Sequence, residues 1–240
     1  MSGSVGITHG VALLDIEPSL GAQLCPDEFR EAHRSCMATL VGLRRGKRIA
    51  WDVLGSDDPA ASAFLVIRGV LTRRLVVGDR RGSELLGRGD VFYPSCAPGE
   101  RMVVSETSWR VEETALLAVL DERLHRCLAG WPRLLMALHE RSVLRSHSLL
   151  VRLAMAEHPQ IARRVHLVLW HLADRWGTVE EHGVFLPLKL SRVMLADLVC
   201  STRESVSRSL GVLERRGLVR GRGSGYFLRF PSPAQTQAKA

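Results

Sequence analysis

The sequence predicts an α+β chain: an antiparallel β region first, one long helix next, and a helix-turn-helix with a terminal hairpin last. Three observations carry that expectation. Between residues 62 and 120, short runs of aliphatic and β-branched residues are punctuated by glycines. Residues 133–158 contain neither Gly nor Pro, and Pro132 and Pro159 bracket them. From Ser191 to Gly217, two short helical patterns meet across a turn of a few residues.

The 240 residues suffice for one large domain or two modest ones, and 46% apolar composition marks a globular chain. No apolar run approaches ~18 residues, so no membrane span is expected. The start, MSGSVGITHGVALLD, lacks the basic and apolar regions of a secretion signal, which points to the cytoplasm. The net charge of +8 is unevenly placed. Residues 159–240 hold 13 Lys+Arg against 6 Asp+Glu, a net of +7, and the first 158 hold 20 against 19. Such a concentration is the footprint of a polyanion-binding module. A membrane-surface helix would instead leave a broad apolar face uncovered. Cys25, Cys36, Cys96, Cys127 and Cys200 form no C-x-x-C pair and no zinc spacing. They read as reduced, structural or incidental thiols, with a redox role at Cys200 as the lesser alternative.

In chain order, residues 1–50 read as loop and short helix, with a helix start at Pro26-Asp27-Glu28, where Pro leads and acids fill the first turn. The basic run Arg44–Arg48 is a solvated turn in preference to a DNA contact. The runs Phe64–Ile67, Val70-Leu71 and Leu75–Val77 read as short strands separated by glycines, followed by Leu85–Phe92. Ser108–Glu112 and Ala115–Leu120 close a small antiparallel barrel or sandwich. No histidine lies between His33 and His125, which disfavours a barrel-borne metal site. The helix of residues 133–158 extends about 39 Å at ~1.5 Å per residue. Leu135, Leu138 and Leu149 mark one stripe and Met136, Val143, Leu150 and Ala154 another, implying burial on two sides. Arg141, Arg145 and Arg152 interrupt both, and His139 and His147 read as polar helix residues. A further helix runs from Ile161 to Trp176, with Val165, Leu169, Leu172 and Trp176 on one face and Gly177 as its stop.

Within the helix-turn-helix, Val193, Leu195 (or Met194) and Leu198 form one apolar side, with Asp197 among them. Val199-Cys200-Ser201 makes the turn. Ser201 and Glu204 fit a capping box that starts the second helix at Thr202. Val206, Leu210 and Leu213 fix that helix's inner face, which turns Thr202, Arg203, Glu204, Ser205, Ser207 and Arg208 outward. Arg offers a fork for a guanine edge, Glu accepts from cytosine, and hydroxyls suit phosphates. Six arginines between 201 and 222 face only Glu204 and Glu214, so ordinary ion pairing does not account for them. Leu218–Arg220, the tip Gly223-Ser224-Gly225 and Tyr226–Phe230 read as a hairpin wing, and residues 231–240 as a disordered tail.

The run LADLVCSTRESVSRSLGVLERRGLV resembles the DNA-binding end of the Crp/Fnr superfamily of bacterial transcription regulators, whose second helix carries R-E-x-x-x-R. The segments IRGVL and LLGRGDVF resemble that superfamily's β-roll sensor. The resemblance implies base contacts at Arg203, Glu204 and Arg208. It implies phosphate contacts at Thr202 and Ser205, to which the outward-facing hydroxyl of Ser207 and the wing charges Arg220 and Arg222 are added as expected phosphate contacts. It also implies a dimer seam on the long helix, through Leu135, Leu138, Val143 and Leu150. The expected division is a β-roll over 1–130, a dimerisation helix over 131–158, a winged helix-turn-helix over 159–230 and a tail over 231–240. Expected partners are double-stranded DNA, a second copy of the chain and RNA polymerase. The effector is unidentified, and no cofactor, metal or membrane partner is expected. Two departures stand out. Cys200 occupies a turn position where the family commonly has Gly. Phe92 to Val103 carries Pro94 and Pro98, which lack N–H donors, and Arg101 precedes Met102, so the family's cyclic-nucleotide phosphate cassette is degenerate. Cys25 and Cys36 lack the close spacing of the family's iron–sulfur members. The alternative is a β-barrel binding or enzyme domain with a helical assembly module, but no clustered acid, base or nucleophile supports it.

Overall fold

The computed structural model describes residues 6–49, 51, 63–94 and 103–230. They fall into two compact units, one of residues up to His147 except 79–83, the other of 79–83 and Ser148 onward. The first sheet holds strands β1 (Gly6–Ala12), β2 (Met37–Leu43), β3 (Ala63–Val77), β4 (Arg80–Leu86), β5 (Val91–Phe92) and β6 (Glu106–Leu120). Their order is β1-β2-β6-β3-β4, with β5 on β3. The expected α+β class is present, but several strand boundaries differ. The short runs around Gly69 are one 15-residue strand, and so are the two closing runs. Gly69 bends β3 without ending it, because register against β6 shifts from Val66 to Leu71. At φ +88, a Cβ there would stand 2.5 Å from the Thr114 carbonyl oxygen, so glycine alone fits. The first 50 residues contain β1 and β2 beside the foreseen helix α2 (Pro26–Ser35) and a short α1 (Leu13–Ile16). Exposure of most of β1 erased the alternation that reveals a strand.

Period-two alternation splits the sheet's apolar residues between two cores. Phe64, Val66, Leu117 and Val119 enter one, and Leu65, Ile67, Ala118 and Leu120 the other. The first core is aromatic: rings of Trp51, Phe64, Phe92 and Trp109 lie 4.8–5.8 Å apart. The second lies under α1, α2, α3 (Glu122–Leu128) and the start of α4 (Pro132–Ala156). Arg44–Arg48 is an exposed turn, as expected.

Helix α4 departs from the stripes expected of it. Leu134 and Leu138 point into the second core, so Leu138, at 6% exposure, belongs to its own unit and not to an outer seam. Met136, Val143, Leu144, Leu150 and Leu153 are each more than half exposed, and Leu135 is 37% exposed. Of the interrupting arginines, Arg145 and Arg141 face carboxylates, whereas Arg152 donates to the Ser83 and Leu198 carbonyls. Arg145 donates twice to Glu84, at 2.7 and 3.0 Å, and Arg73 meets the same group at 2.7 Å. Arg141 and Arg88 each stand 3.3 Å from buried Glu17. Burial pushes the Glu17 carboxyl up, but the Ser19 hydroxyl and Arg141 outweigh it and hold the group below the usual carboxylate range.

The second unit contains α5 (Ile161–Trp176), β7 (Thr178–Glu180), β8 (Gly183–Leu186), α6 (Arg192–Leu198), α7 (Arg203–Arg215), β9 (Val219–Arg222) and β10 (Gly225–Arg229). The foreseen hairpin β9–β10 is joined by β7 and β8 in a sheet ordered β7-β8-β10-β9. Gly177 ends α5 for a reason other than a left-handed cap: its φ is −78. A Cβ there would lie 2.4 Å from the Ala173 carbonyl oxygen and 2.5 Å from the Val184 methyl. The expected tail over 231–240, and Ser95–Met102 of the degenerate cassette, lie outside the described residues. No described helix is long and apolar enough to cross a membrane.

Candidate nucleic-acid interface

The site is built on α6 and α7. Ser191 caps α6, its hydroxyl oxygen accepting from the Met194 amide at 3.1 Å. Met194, Leu195 and Leu198 are buried, whereas Val193, expected beside them, is 44% exposed. Met194 takes the inward position. In α7, Val206, Leu210 and Leu213 are at most 3% exposed, so the helix has one fixed rotation. The helix ends in a Schellman motif: Gly217 N–H donates to the Glu214 carbonyl at 2.9 Å and Leu218 N–H to Leu213 at 3.0 Å.

The turn differs from expectation at its second half. The Ser201–Glu204 capping box is absent. Thr202 is the cap, its hydroxyl accepting from Ser205 N–H at 3.2 Å and donating to the Ser205 hydroxyl at 3.0 Å, so α7 starts at Arg203. Ser201 N–H instead donates to the Ala196 carbonyl at 2.9 Å, closing the turn one residue earlier. Cys200 sits at φ +51, the one non-glycine residue with positive φ among those described. Arg164 on α5 steadies this strained turn. Its guanidinium donates to the carbonyls of Val199 at 3.0 Å and Cys200 at 3.4 Å. Sequence periodicity had no means of revealing this clamp, which joins residues 35 and 36 positions apart.

On the outer face, Arg203, Glu204, Ser207 and Arg208 are exposed, and Ser205 is half-buried. Arg203, Glu204 and Arg208 make no hydrogen bond or ion pair with any described residue. Loss of the capping box is what leaves Glu204 free. The hydroxyls of Thr202 and Ser205 are engaged with each other.

On the wing, Arg220 is exposed and has no partner among the described residues. Arg222, expected to be available for phosphate, is occupied. It forks onto Glu180 at 2.7 and 2.8 Å and lies 4.4 Å over the Phe185 ring. Those hydrogen bonds hold the Glu180 carboxyl below its usual range. Tyr226 anchors the wing, its hydroxyl accepting from Arg192 at 3.0 Å and donating to the Leu190 carbonyl at 3.5 Å. Burial pushes the Tyr226 phenol up. Behind the motif, buried His166 accepts from Trp170 Nε1 at 3.1 Å, and burial together with Arg163 pushes its pKa down to about 4. Among the described residues, no group of three or more His, Cys, Asp or Glu is placed to hold a metal.

Comparison with known proteins bears on both units. A Crp-like helix-turn-helix domain model matches residues 163–235. The nitrogen fixation regulation protein FixK of Azorhizobium caulinodans is 30% identical over 171 residues, spanning 70% of this chain and 67% of that protein. FixK2 of Bradyrhizobium japonicum has the same fold at TM-score 0.63 and 19% identity, over 83% of this chain and 96% of that one. A cyclic nucleotide-binding domain containing protein from Listeria monocytogenes EGD-e matches at TM-score 0.66 and 19% identity, over 89% and 97%. At 30% identity over two thirds of FixK, and with a Crp-like helix-turn-helix at its end, this chain belongs to the Crp/Fnr superfamily of transcription regulators.

Proposed function

We propose that the chain acts in the cytoplasm as a homodimer that reads a near-palindromic DNA site without cyclic AMP. Arg203, Glu204 and Arg208 contact base edges. Ser207 and Arg220 contact phosphates, with Thr202 and Ser205 secondary because their hydroxyls already bond each other. The observation that carries this reading is the trio of charges without partners among the described residues, on one outer face of a helix whose inner face is buried. Arg222 contributes little, since Glu180 already neutralises it. The second copy docks on the outer stripe of α4, through Leu135, Val143 and Leu150 with Met136 and Leu153. RNA polymerase is the further partner of a regulator bound at a promoter. Independence from cyclic AMP rests on the prolines and on Met102 in the cassette.

The test is fluorescence anisotropy on a DNA site selected from random sequence, across a salt series. A log–log slope of several units and a preference for the selected site of at least about 10³ over random DNA are expected. Equal affinity for selected and random DNA would remove the base-reading assignment.

A further inference from the structure

We propose that Cys36 and Cys127 form a reversible dithiol–disulfide site that a hydroperoxide oxidises. Spacing in sequence separates them by 91 positions, yet their sulfurs stand 3.0 Å apart. That is about 1 Å longer than a disulfide bond of ~2.05 Å, so bond formation calls for a small approach and no rebuilding of the chain. Both are free thiols in this structure. Cys36 closes the C-terminal end of α2 and is wholly buried, while Cys127 in α3 is half-buried. The two thiols therefore have different tasks.

Cys127, the one solvent reaches, attacks a peroxide oxygen. Its S–O bond forms as the O–O bond breaks, and the departing hydroxide takes the thiol proton as water. Cys36 sulfur then attacks the Cys127 sulfenic sulfur. The S–S bond forms, the S–O bond breaks, and a second water leaves with the Cys36 proton. Two thiols and one hydrogen peroxide give one disulfide and two waters (an organic hydroperoxide gives one water and its alcohol), with two electrons passing from sulfur to oxygen. Burial beside Cys127 pushes the Cys36 thiol up to about 12, so Cys36 is not the first to react and proximity drives the closing step. The bond would tie the end of α2, and the start of β2 behind it, to α3, which lies just ahead of α4.

The experiment uses the full chain, reduced, desalted and treated with stoichiometric hydrogen peroxide, then alkylated in denaturant and digested. The expected result is a fall from five free thiols to three, with one intramolecular peptide pair joining residues 36 and 127. Dithiothreitol restores all five. Because the bond closes a long loop, the thermal midpoint of the oxidised chain rises by roughly 5–10 °C. Cys127→Ser loses both the cross-link and the shift. Cys36→Ala serves as the second variant and does the same. Five thiols surviving peroxide, irreversible over-oxidation, or pairing of either cysteine with Cys25, Cys96, Cys200 or another chain would each overturn the proposal. None of these readouts involves DNA, so this site and the DNA-reading assignment stand or fall separately.

Discussion

Arg203 and Arg208 show how one side chain's value depends on what its neighbours have already taken. Both are exposed cations with no partner among the described residues, whereas Arg222, at the end of β9, is held by Glu180 and Phe185. A guanidinium without a counter-ion keeps its full fork for a guanine edge. Arg203→Ala and Arg208→Ala are each expected to weaken binding to the selected site by roughly 1–3 kcal/mol and relax preference at one base pair. Arg220→Ala should weaken all sequences alike and lower the salt slope by about one, and Arg222→Ala should change that slope less. Anisotropy on selected and scrambled duplexes measures all four, and an equal loss on both duplexes for Arg203→Ala would reassign it to phosphate. Cys200 shows strain at the same scale. At φ +51 it costs roughly 1 kcal/mol more than glycine, a cost that the Arg164 clamp on its carbonyl helps to offset.

Helices α4 and α5 carry the predictions at the scale of elements. Val143 and Leu150 are 52% and 64% exposed, seven residues apart on the outer face of α4. Charges there meet water in a single chain but meet a partner's apolar stripe in a dimer. The Val143→Asp, Leu150→Asp double variant is expected to be a folded monomer with at least tenfold weaker binding to a two-half-site DNA. Light scattering that still reports a dimer would move the seam elsewhere. In α5, the His166 pKa of about 4 lies below the ordinary 6.5, so the folded state favours the neutral ring. Its contribution is complete above pH 6.5 and is lost as pH falls from 6.5 toward 4. From pH 7 to pH 5 the loss is about 2 kcal/mol. His166→Gln keeps an acceptor for Trp170 without titrating, so denaturant unfolding should fall less steeply with acid in that variant. An unchanged slope would exclude His166 as the source.

At the scale of the whole molecule, charge and core chemistry divide along the chain. The last 82 residues hold a net of +7 and the others +1, so the electrostatic attraction to DNA resides in one end. The first unit instead concentrates four large rings in one of its two cores. Isothermal calorimetry with cyclic AMP and cyclic GMP is expected to give no heat of binding up to about millimolar ligand, because two prolines remove phosphate-binding amides from the cassette. Micromolar affinity for either nucleotide would reverse that assignment and make the chain a nucleotide-responsive regulator.

What the amino-acid sequence by itself determined is whatever local periodicity and composition dictate. The inner face of α7 through Val206, Leu210 and Leu213, the wing hairpin β9–β10, the extent of α4 and the basic end were all legible at helical or strand spacing. The order of motifs was enough to suggest the superfamily. Tertiary structure decided everything that depends on residues far apart in the chain. Gly69 proved to be a bulge within one strand because β6 presses against it. Leu138 turned inward because the sheet's second core set the rotation of α4. Arg222 lost its freedom to Glu180, 42 residues away, and Glu204 kept its own because Thr202 took the cap. Cys36 and Cys127, unrelated by any spacing, meet at 3.0 Å. The physical reason is the same in each case: hydrogen bonds, ion pairs and close packing act over a few ångströms in space, and sequence spacing records only those contacts that a single helix or strand brings into register.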